Sequence, residues 1–237
     1  MQIDVSVIIP AFNEDKEIRA TVGHVLTAVL VSGLNCEVIV VNNDSTDKTS
    51  EILSELKVKT IFLPQKEGNT IAKVRNTGAK TATGKILLFV DADTWIPSNL
   101  ISEFYSEFHD EKVICVGCRI MPRANTAWRG FFRILNRIIW ASVKAGQGAI
   151  AGNTVAYRAT TFKKLNGFDE QMAASEDQDL SMRASKIGKI IYLSKITTKT
   201  SARRLKKLGF TGLLRNWSET TYNLMTKKKQ HEYLITR

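Results

Sequence analysis

The sequence has few cysteines, and their positions exclude a disulfide-stapled protein. Cys36, Cys115 and Cys118 are too few and too widely spaced for a disulfide framework. The last two have the C-x-x-C spacing of redox and zinc sites, but they lie in an apolar segment with no second pair and no nearby histidine. We therefore interpret them as buried strand thiols in a protein of the reducing cytoplasm.

Long apolar runs are also lacking. No stretch reaches the roughly 18–20 consecutive apolar residues of a membrane-spanning helix, and the first residues lack the basic region of a signal peptide. We therefore expect a cytoplasmic protein that does not cross a membrane. Its 237 residues suit a single domain with a sizeable core.

Acidic side chains are scarce towards the C-terminus. The formal net charge is +11, and between Arg203 and Lys229 eight basic residues stand against one acid, Glu219. This distribution predicts an anionic partner for the C-terminal part: a phosphorylated substrate, acidic lipid or nucleic acid.

Strand-like and helix-like segments alternate through the first part of the chain. The predicted strands are almost wholly apolar and cover residues 5–9, 37–41, 60–63 and 85–90. Pro10 should end the first strand, because proline cannot donate to a central ladder, and Ser45 or Thr46 should cap the second helix. The pattern predicts an α/β fold with a doubly wound, mostly parallel sheet and helices on both faces.

Polar residues follow these strands, at the sheet edge where such folds bind ligands. Asp91 and Asp93 suit a hard cation such as Mg²⁺ or Mn²⁺ together with a substrate hydroxyl, or they are loop aspartates that cap the next helix. A second cluster, Glu176 and Asp177, is either the acidic first turn of a helix or the source of a general base.

A series of motifs, in this order, resembles the family 2 glycosyltransferases of GT-A fold. The motifs are VIIPAFNE at 7–14, VVNNDSTD at 40–47, RNTG at 75–78, ATGK at 82–85, FVDAD at 89–93, GFDE at 167–170 and SED at 175–177. The resemblance implies inverting transfer of a sugar from a nucleotide-diphosphate donor, with Mn²⁺ or Mg²⁺ as cofactor. Residues 1–96 would bind the nucleotide sugar, and residues 97–237, with a basic C-terminal helical region, the acceptor.

The resemblance also implies roles for individual residues. Asp177 would be the catalytic base, and Asp93 would bind the metal, with Asp91 shared between metal and ribose. The other substrate contacts would come from Pro10, Phe12, Glu14, Asn42, Asp44, Arg75, Glu176, Arg203 and Arg204. The family usually carries aspartate at the position of Asn42, so uridine and guanosine donors both stay open.

An amphipathic basic segment follows in the acceptor half. Residues 128–144 place apolar groups at helical spacing and carry Arg129, Arg133 and Arg137 at four-residue intervals. The segment is either a helix packed on the sheet or one that lies on an anionic membrane. The acceptor would be a saccharide or a polyprenyl-linked or other glycolipid.

Two other functions fit parts of the sequence. A nucleotidyltransferase also uses a doubly wound sheet and a carboxylate-bound metal, but it needs a glycine-rich basic loop after the first strand, which residues 10–14 lack. A non-enzymatic binder of anionic surfaces would fit the charge alone. We expect no nucleic-acid partner.

Overall fold

The computed structural model describes residues 2–64, 69–124, 126–148, 150, 152–172 and 174–203, together with 207, 209 and 212. The strands are β1 (Val5–Ala11), β2 (Cys36–Asn42), β3 (Lys59–Phe62), β4 (Ile86–Val90), β5 (Thr94–Trp95), β6 (Val113–Pro122), β7 (Thr154–Arg158) and β8 (Lys189–Thr200). The helices are α1 (Ile18–Ser32), α2 (Thr49–Glu55), α3 (Ile71–Thr81), α4 (Leu100–Glu107), α5 (Thr126–Lys144), α6 (Ala159–Lys164) and α7 (Glu176–Ser185).

The eight described strands form one sheet in the order β3-β2-β1-β4-β7-β6-β8-β5. β3, β2, β1 and β4 pair in parallel, as do β6 and β8. β7 runs antiparallel to β4 and β6, and the short β5 is antiparallel to β8. The predicted α/β class with a mostly parallel sheet is confirmed, since four of the seven pairings are parallel.

Apolar residues fill both faces of the sheet, which explains why the predicted strands show no polar alternation. Ile9 and Leu88 pack on one face with α1 and α4, while Ile8 and Phe89 pack on the other with α3, α6 and α7. Each fully buried side chain of this size contributes about 1.5–3 kcal/mol. Below the second face, the Phe89 ring contacts Phe168 at 5.0 Å between centroids.

The prediction that Pro10 ends the first strand is wrong. β1 continues to Ala11, with Pro10 paired to Val41. In a parallel strand successive residues direct their backbone groups to opposite sides, and the Ala11 carbonyl accepts from the Asn43 N–H on the β2 side. The Pro10 nitrogen therefore faces β4, where pairing has already ended at Ile8, and no ladder bond is lost.

Two other sequence expectations differ from the structure. α2 begins at Thr49, and the predicted cap Ser45 instead accepts a hydrogen bond from the N–H of Asn13. The twelve-residue strand β8 was not predicted, although half of its residues are β-branched, which is typical of a strand. Cys115 and Cys118 are buried, unoxidised thiols in β6, as predicted. No helix among the described residues has the length and apolarity needed to span a bilayer.

Candidate active site

The loops that follow β1 and β2 are tied to each other by hydrogen bonds from backbone N–H groups to side-chain oxygens. The N–H of Asn13 donates to Ser45 Oγ at 2.9 Å, and the N–H of Thr46 donates to Asn13 Oδ1 at 2.8 Å. Asn13 and Asp44 hold φ values of 53° and 56°, in the left-handed region that asparagine and aspartate tolerate best after glycine. These contacts fix the polar rim that the sequence predicts at the carboxyl ends of the strands.

The predicted nucleoside residues all lie on or next to this rim. Pro10 is buried inside β1, whereas Phe12 and Asp44 are partly exposed. Glu14 is buried, and its N–H donates to Thr49 Oγ1 at 2.7 Å. The structure thus brings the residues of both loops together at one edge.

Asn42, the last residue of β2, bonds to the segment that follows it. Its Oδ1 accepts from the Ser45 N–H at 3.1 Å and its Nδ2 donates to Ser50 Oγ at 2.7 Å. Because the donor at Ser45 is a backbone N–H, the amide orientation is fixed. Asn42 is 2% exposed, so it orders the loop behind the rim.

Asp91 and Asp93 stand in a turn. The N–H of Thr94 donates to the Asp91 carbonyl at 3.0 Å, which closes the turn. The two carboxylates point to different partners. Asp91 accepts from Arg75 at 2.7 Å, and Asp93 faces Arg203 and Thr200 at 3.5 Å and 3.3 Å.

Arg75 is the buried cation of the site. From α3 it donates to Asp91, to Glu176 at 2.5 Å and to the Gly152 carbonyl at 3.1 Å. Its side chain is 4% exposed. Asp177 adds a third nearby carboxylate, so one guanidinium faces three acids. Burial, and the charge of Asp177, raise the pKa of Glu176 to about 7 against the opposing effect of Arg75.

Asp177 contacts the chain that enters β7. Its Oδ2 accepts a short hydrogen bond from the Gly152 N–H, and its Oδ1 accepts from the Gln178 N–H at 2.8 Å. A side chain at Gly152 would place its Cβ only 2.5 Å from the Asp177 Cβ. Burial raises the pKa of Asp177 above its usual value. The result is a carboxylate held in a poorly solvated place beside a negative cluster.

A second group of contacts surrounds Asp93. Arg203 reaches back from the end of β8 and donates to Glu14 at 2.6 Å while also facing Asp93. Burial, followed by the charge of Asp91, raises the pKa of Asp93, although Arg203 opposes this shift. Arg204 and the basic run at 227–229 lie outside the described residues.

Arg123 belongs to this group, although the sequence analysis did not identify it. Its guanidinium lies 3.9 Å from the centre of the Trp95 ring and donates to Glu17 at 2.7 Å and to the Asp93 carbonyl at 3.3 Å. In the sequence it is marked by no motif and simply follows the segment that forms β6. Arg123 and Arg203 therefore place two cations around Asp93.

Several motif residues serve the scaffold. Asn76 donates to the Phe168 carbonyl at 2.8 Å and accepts from the Phe168 N–H at 3.0 Å. Gly167 has φ +66°, and a Cβ there would lie 2.6 Å from Asn76 Oδ1. Gly78 passes close to Ile8, since its Cβ would lie 2.5 Å from the Ile8 Cγ2. RNTG and GFDE thus lock α3 to the chain before α7, which brings Arg75 to Glu176.

The carboxylates fit a cation that is shared with a phosphorylated substrate. Among the described residues no group of three or more His, Cys, Asp or Glu could enclose a metal ion. Mg²⁺ characteristically binds through one or two carboxylates plus substrate phosphates and waters. Asp93, with Asp91 beside it, supplies such a set of hard oxygen ligands, and the two nearby arginines suit the phosphates.

Comparisons with known proteins agree with this geometry. Residues 6–165 match the model of Glycosyl transferase family 2. A probable glycosyltransferase of Bacillus subtilis, YdaM, is 28% identical over 200 residues, which are 78% of this chain and 47% of the relative. The chain therefore spans about half the length of this curated relative.

Two solved structures share the fold. A mannosyltransferase from Pyrobaculum calidifontis, in complex with GDP-Man and Mn²⁺, has a TM-score of 0.70 at 20% identity and matches 94% of this chain and 65% of its own. Staphylococcus aureus TarS, in complex with UDP-GlcNAc, has a TM-score of 0.64 at 22% identity and matches 84% of this chain and 58% of its own. With the family match covering more than half of the residues, the chain belongs to glycosyltransferase family 2.

Proposed function

We propose that the protein is an inverting glycosyltransferase that moves a sugar from a nucleoside-diphosphate donor to an acceptor hydroxyl or phosphate. The observation that carries this proposal is the path from Asp91 through Arg75 to Glu176 and Asp177. It joins the acidic turn after β4 to the first turn of α7. Two of the expected donor contacts, Asp91 and Arg75, therefore belong to the same cluster as the expected base.

Asp177 is the proposed base. An acceptor hydroxyl loses its proton to the Asp177 carboxylate as its oxygen bonds to the anomeric carbon, while the bond from that carbon to the diphosphate breaks. Attack from the side opposite the leaving group inverts the anomeric centre. The raised pKa makes Asp177 a stronger base than an ordinary aspartate, and its bond to the Gly152 N–H orients it.

Negative charge that develops on the departing diphosphate needs nearby cations. Arg203 and Arg123, which surround Asp93, are the described candidates. Arg203 forms an ion pair with Glu14, so donor binding would exchange that carboxylate for phosphate oxygens. A divalent cation on Asp93 and Asp91 would add Lewis-acid stabilisation of the same charge.

The donor nucleotide is uridine or guanosine diphosphate. TarS has been solved with UDP-GlcNAc and the Pyrobaculum enzyme with GDP-Man, so the fold accepts either base. In this chain the Asn42 amide is bonded to Ser45 and Ser50, which leaves base recognition to the other rim residues, Phe12 and Asp44 among them. Arg75 holds the carboxylates in place instead of contacting the diphosphate, because its side chain is 4% exposed.

A thermal-shift screen tests the proposal. UDP- and GDP-sugars, each with and without Mn²⁺, are added to the purified protein, and a true donor stabilises it by about 2.7 kcal/mol at a hundred times its Kd. We expect one nucleotide to give a shift that Mn²⁺ increases, whereas no shift with any sugar nucleotide would contradict donor binding. Neither alternative function is favoured by the family match. Placement in the cytoplasm and the division near residue 96 remain predictions.

A further inference from the structure

The orientation of α5 on the sheet is fixed by a buried asparagine. Asn136 Oδ1 accepts from the Ile120 N–H at 3.0 Å and from the Tyr192 hydroxyl at 2.6 Å, while its Nδ2 donates to the Ile120 carbonyl at 2.8 Å. Phe132, one turn earlier, is buried against Met121. These contacts hold the apolar inner face of the helix on β6 and β8, so its opposite face is directed to solvent.

That outer face is apolar and cationic at once. Ile134 and Ile138, one turn apart, are 58% and 60% exposed, and Trp140 is 45% exposed. At 100° per residue, the isoleucines form one stripe, and the cations form a stripe beside it. The exposed cations are Arg129, Arg133, Arg137 and Lys144. The nineteen residues of α5 include no aspartate or glutamate.

Water solvates the exposed isoleucines of this face poorly, and an anionic bilayer surface matches both the isoleucines and the cations. Isoleucine and tryptophan side chains enter the boundary between headgroups and acyl chains, while arginine and lysine pair with lipid phosphates. A helix that packs only on its own sheet needs no second apolar stripe. Because α5 has no acidic residue, its four cations cannot form ion pairs within the helix.

Both ends of α5 lead into the candidate active site. Just before the helix, Arg123 contacts the Asp93 carbonyl and the Trp95 ring. Shortly after it, the Gly152 N–H binds Asp177. A surface bound by α5 would therefore lie close to the place where an acceptor meets the base.

We propose that the outer face of α5 docks on an anionic membrane surface. If the proposed function, on which this step rests, holds, docking would bring Asp177 near an acceptor whose anchor is in the bilayer. The acceptor class would then be lipid-linked rather than a free saccharide.

Vesicle binding tests the docking face without donor or acceptor. The full chain is sedimented with vesicles of phosphatidylcholine alone or with 30% phosphatidylglycerol (about one lipid in three). The variants are Arg133→Gln/Arg137→Gln and Ile134→Ser/Ile138→Ser. The matched controls are Lys57→Gln/Lys80→Gln, which removes the same charge near β3, and Leu30→Ser/Val31→Ser, which removes exposed apolar groups from α1.

We expect wild type to bind the anionic vesicles and both control variants to bind like wild type. Each cation near an anionic surface contributes about fivefold in affinity, so the double arginine variant should bind roughly 25-fold more weakly. The isoleucine variant should also lose binding. Equal binding of the α5 variants and the controls would overturn the proposal, as would no vesicle binding by wild type. Loss of a dimer in the α5 variants, without any vesicle binding, would assign the face to a second copy instead.

Donor binding separates this proposal from the proposed function. The α5 variants should keep the thermal shift with the sugar nucleotide, because their substituted side chains lie on the outer face of the helix. Vesicle binding without a thermal shift from any sugar nucleotide would support the docking proposal and contradict the proposed glycosyl transfer. A sugar-nucleotide shift without vesicle binding would support donor binding and overturn the docking proposal.

Discussion

Arg75 donates a hydrogen bond to Asp91 at 2.7 Å from inside the protein, where only 4% of its side chain is exposed. Its other terminal nitrogen donates to Glu176 at 2.5 Å. A single guanidinium therefore holds the turn that carries Asp93 and the helix start that carries Asp177. The stability of the fold and the geometry of the proposed chemistry depend on the same cation.

Replacing Arg75 should destabilise the protein strongly. Arg75→Met leaves the buried Glu176 carboxylate without its partner, and loss of one member of a buried ion pair costs about 3–5 kcal/mol. Urea unfolding followed by circular dichroism measures the change. Arg75→Met/Glu176→Gln should recover part of the loss. The matched control is Arg19→Met, which breaks an ion pair with Glu55 that is 54% exposed on both sides, and it should cost about 1 kcal/mol or less.

Gly152→Ala should impair transfer while donor binding is kept. The new methyl group would lie 2.5 Å from the Asp177 Cβ, so the carboxylate must move. A displacement of about 1 Å at a reacting group costs on the order of a hundredfold in rate. Gly23→Ala in α1 is the control, because its Cβ meets nothing within 4 Å. Activity of Gly152→Ala equal to that of Gly23→Ala would show that the contact with Asp177 is not needed.

The pH dependence of stability should carry the signature of Glu176. Burial raises the pKa of this carboxyl from 4.5 to about 7, so the folded state binds more protons than the unfolded state between these values. Stability must then fall as the pH rises from about 4.5 to about 7. Chemical unfolding at a series of pH values should show this slope in wild type and a smaller slope in Glu176→Gln. An identical slope in both would remove Glu176 as its source.

The cation dependence should be lost with Asp93. Asp93→Asn keeps the size of the side chain but removes the charge that a hard cation requires. In the thermal-shift assay we expect the sugar nucleotide alone to stabilise wild type and variant similarly, with the increment from Mn²⁺ confined to wild type. An undiminished increment in Asp93→Asn would place the cation elsewhere.

The parts predicted from sequence are those encoded by local pattern. The apolar segments predicted the strands of the sheet, and the residues that follow them, such as Asp91 and Asn42, predicted its ligand-binding edge. The order of the motifs predicted the family. Roles that depend on distant partners were missed. Arg123 belongs to no sequence motif. Its place in the site depends on contacts with Trp95 and Asp93, which are distant in sequence and are brought near only by the fold.

The same distinction explains the errors. Pro10 was predicted to end β1. Whether a proline fits inside a strand depends on which adjacent strand its nitrogen faces and on where the pairing with that strand ends. The hydrogen bonds of the Asn42 amide were also not predicted: it bonds to Ser45 in the loop after β2 and to Ser50 in α2. Neither fact can be deduced from the residue and its immediate neighbours.

The Asp177→Asn variant tests whether Asp177 is the catalytic base. The variant keeps the shape of the side chain and removes its basicity, and loss of a general base slows a reaction by about 10²–10⁴-fold. Wild type and variant are compared for transfer of radiolabelled sugar from the donor found by thermal shift, with soluble saccharides and lipid-linked acceptors offered in parallel. We expect an unchanged donor shift and transfer below about 1% of wild type. Full transfer by Asp177→Asn would contradict it.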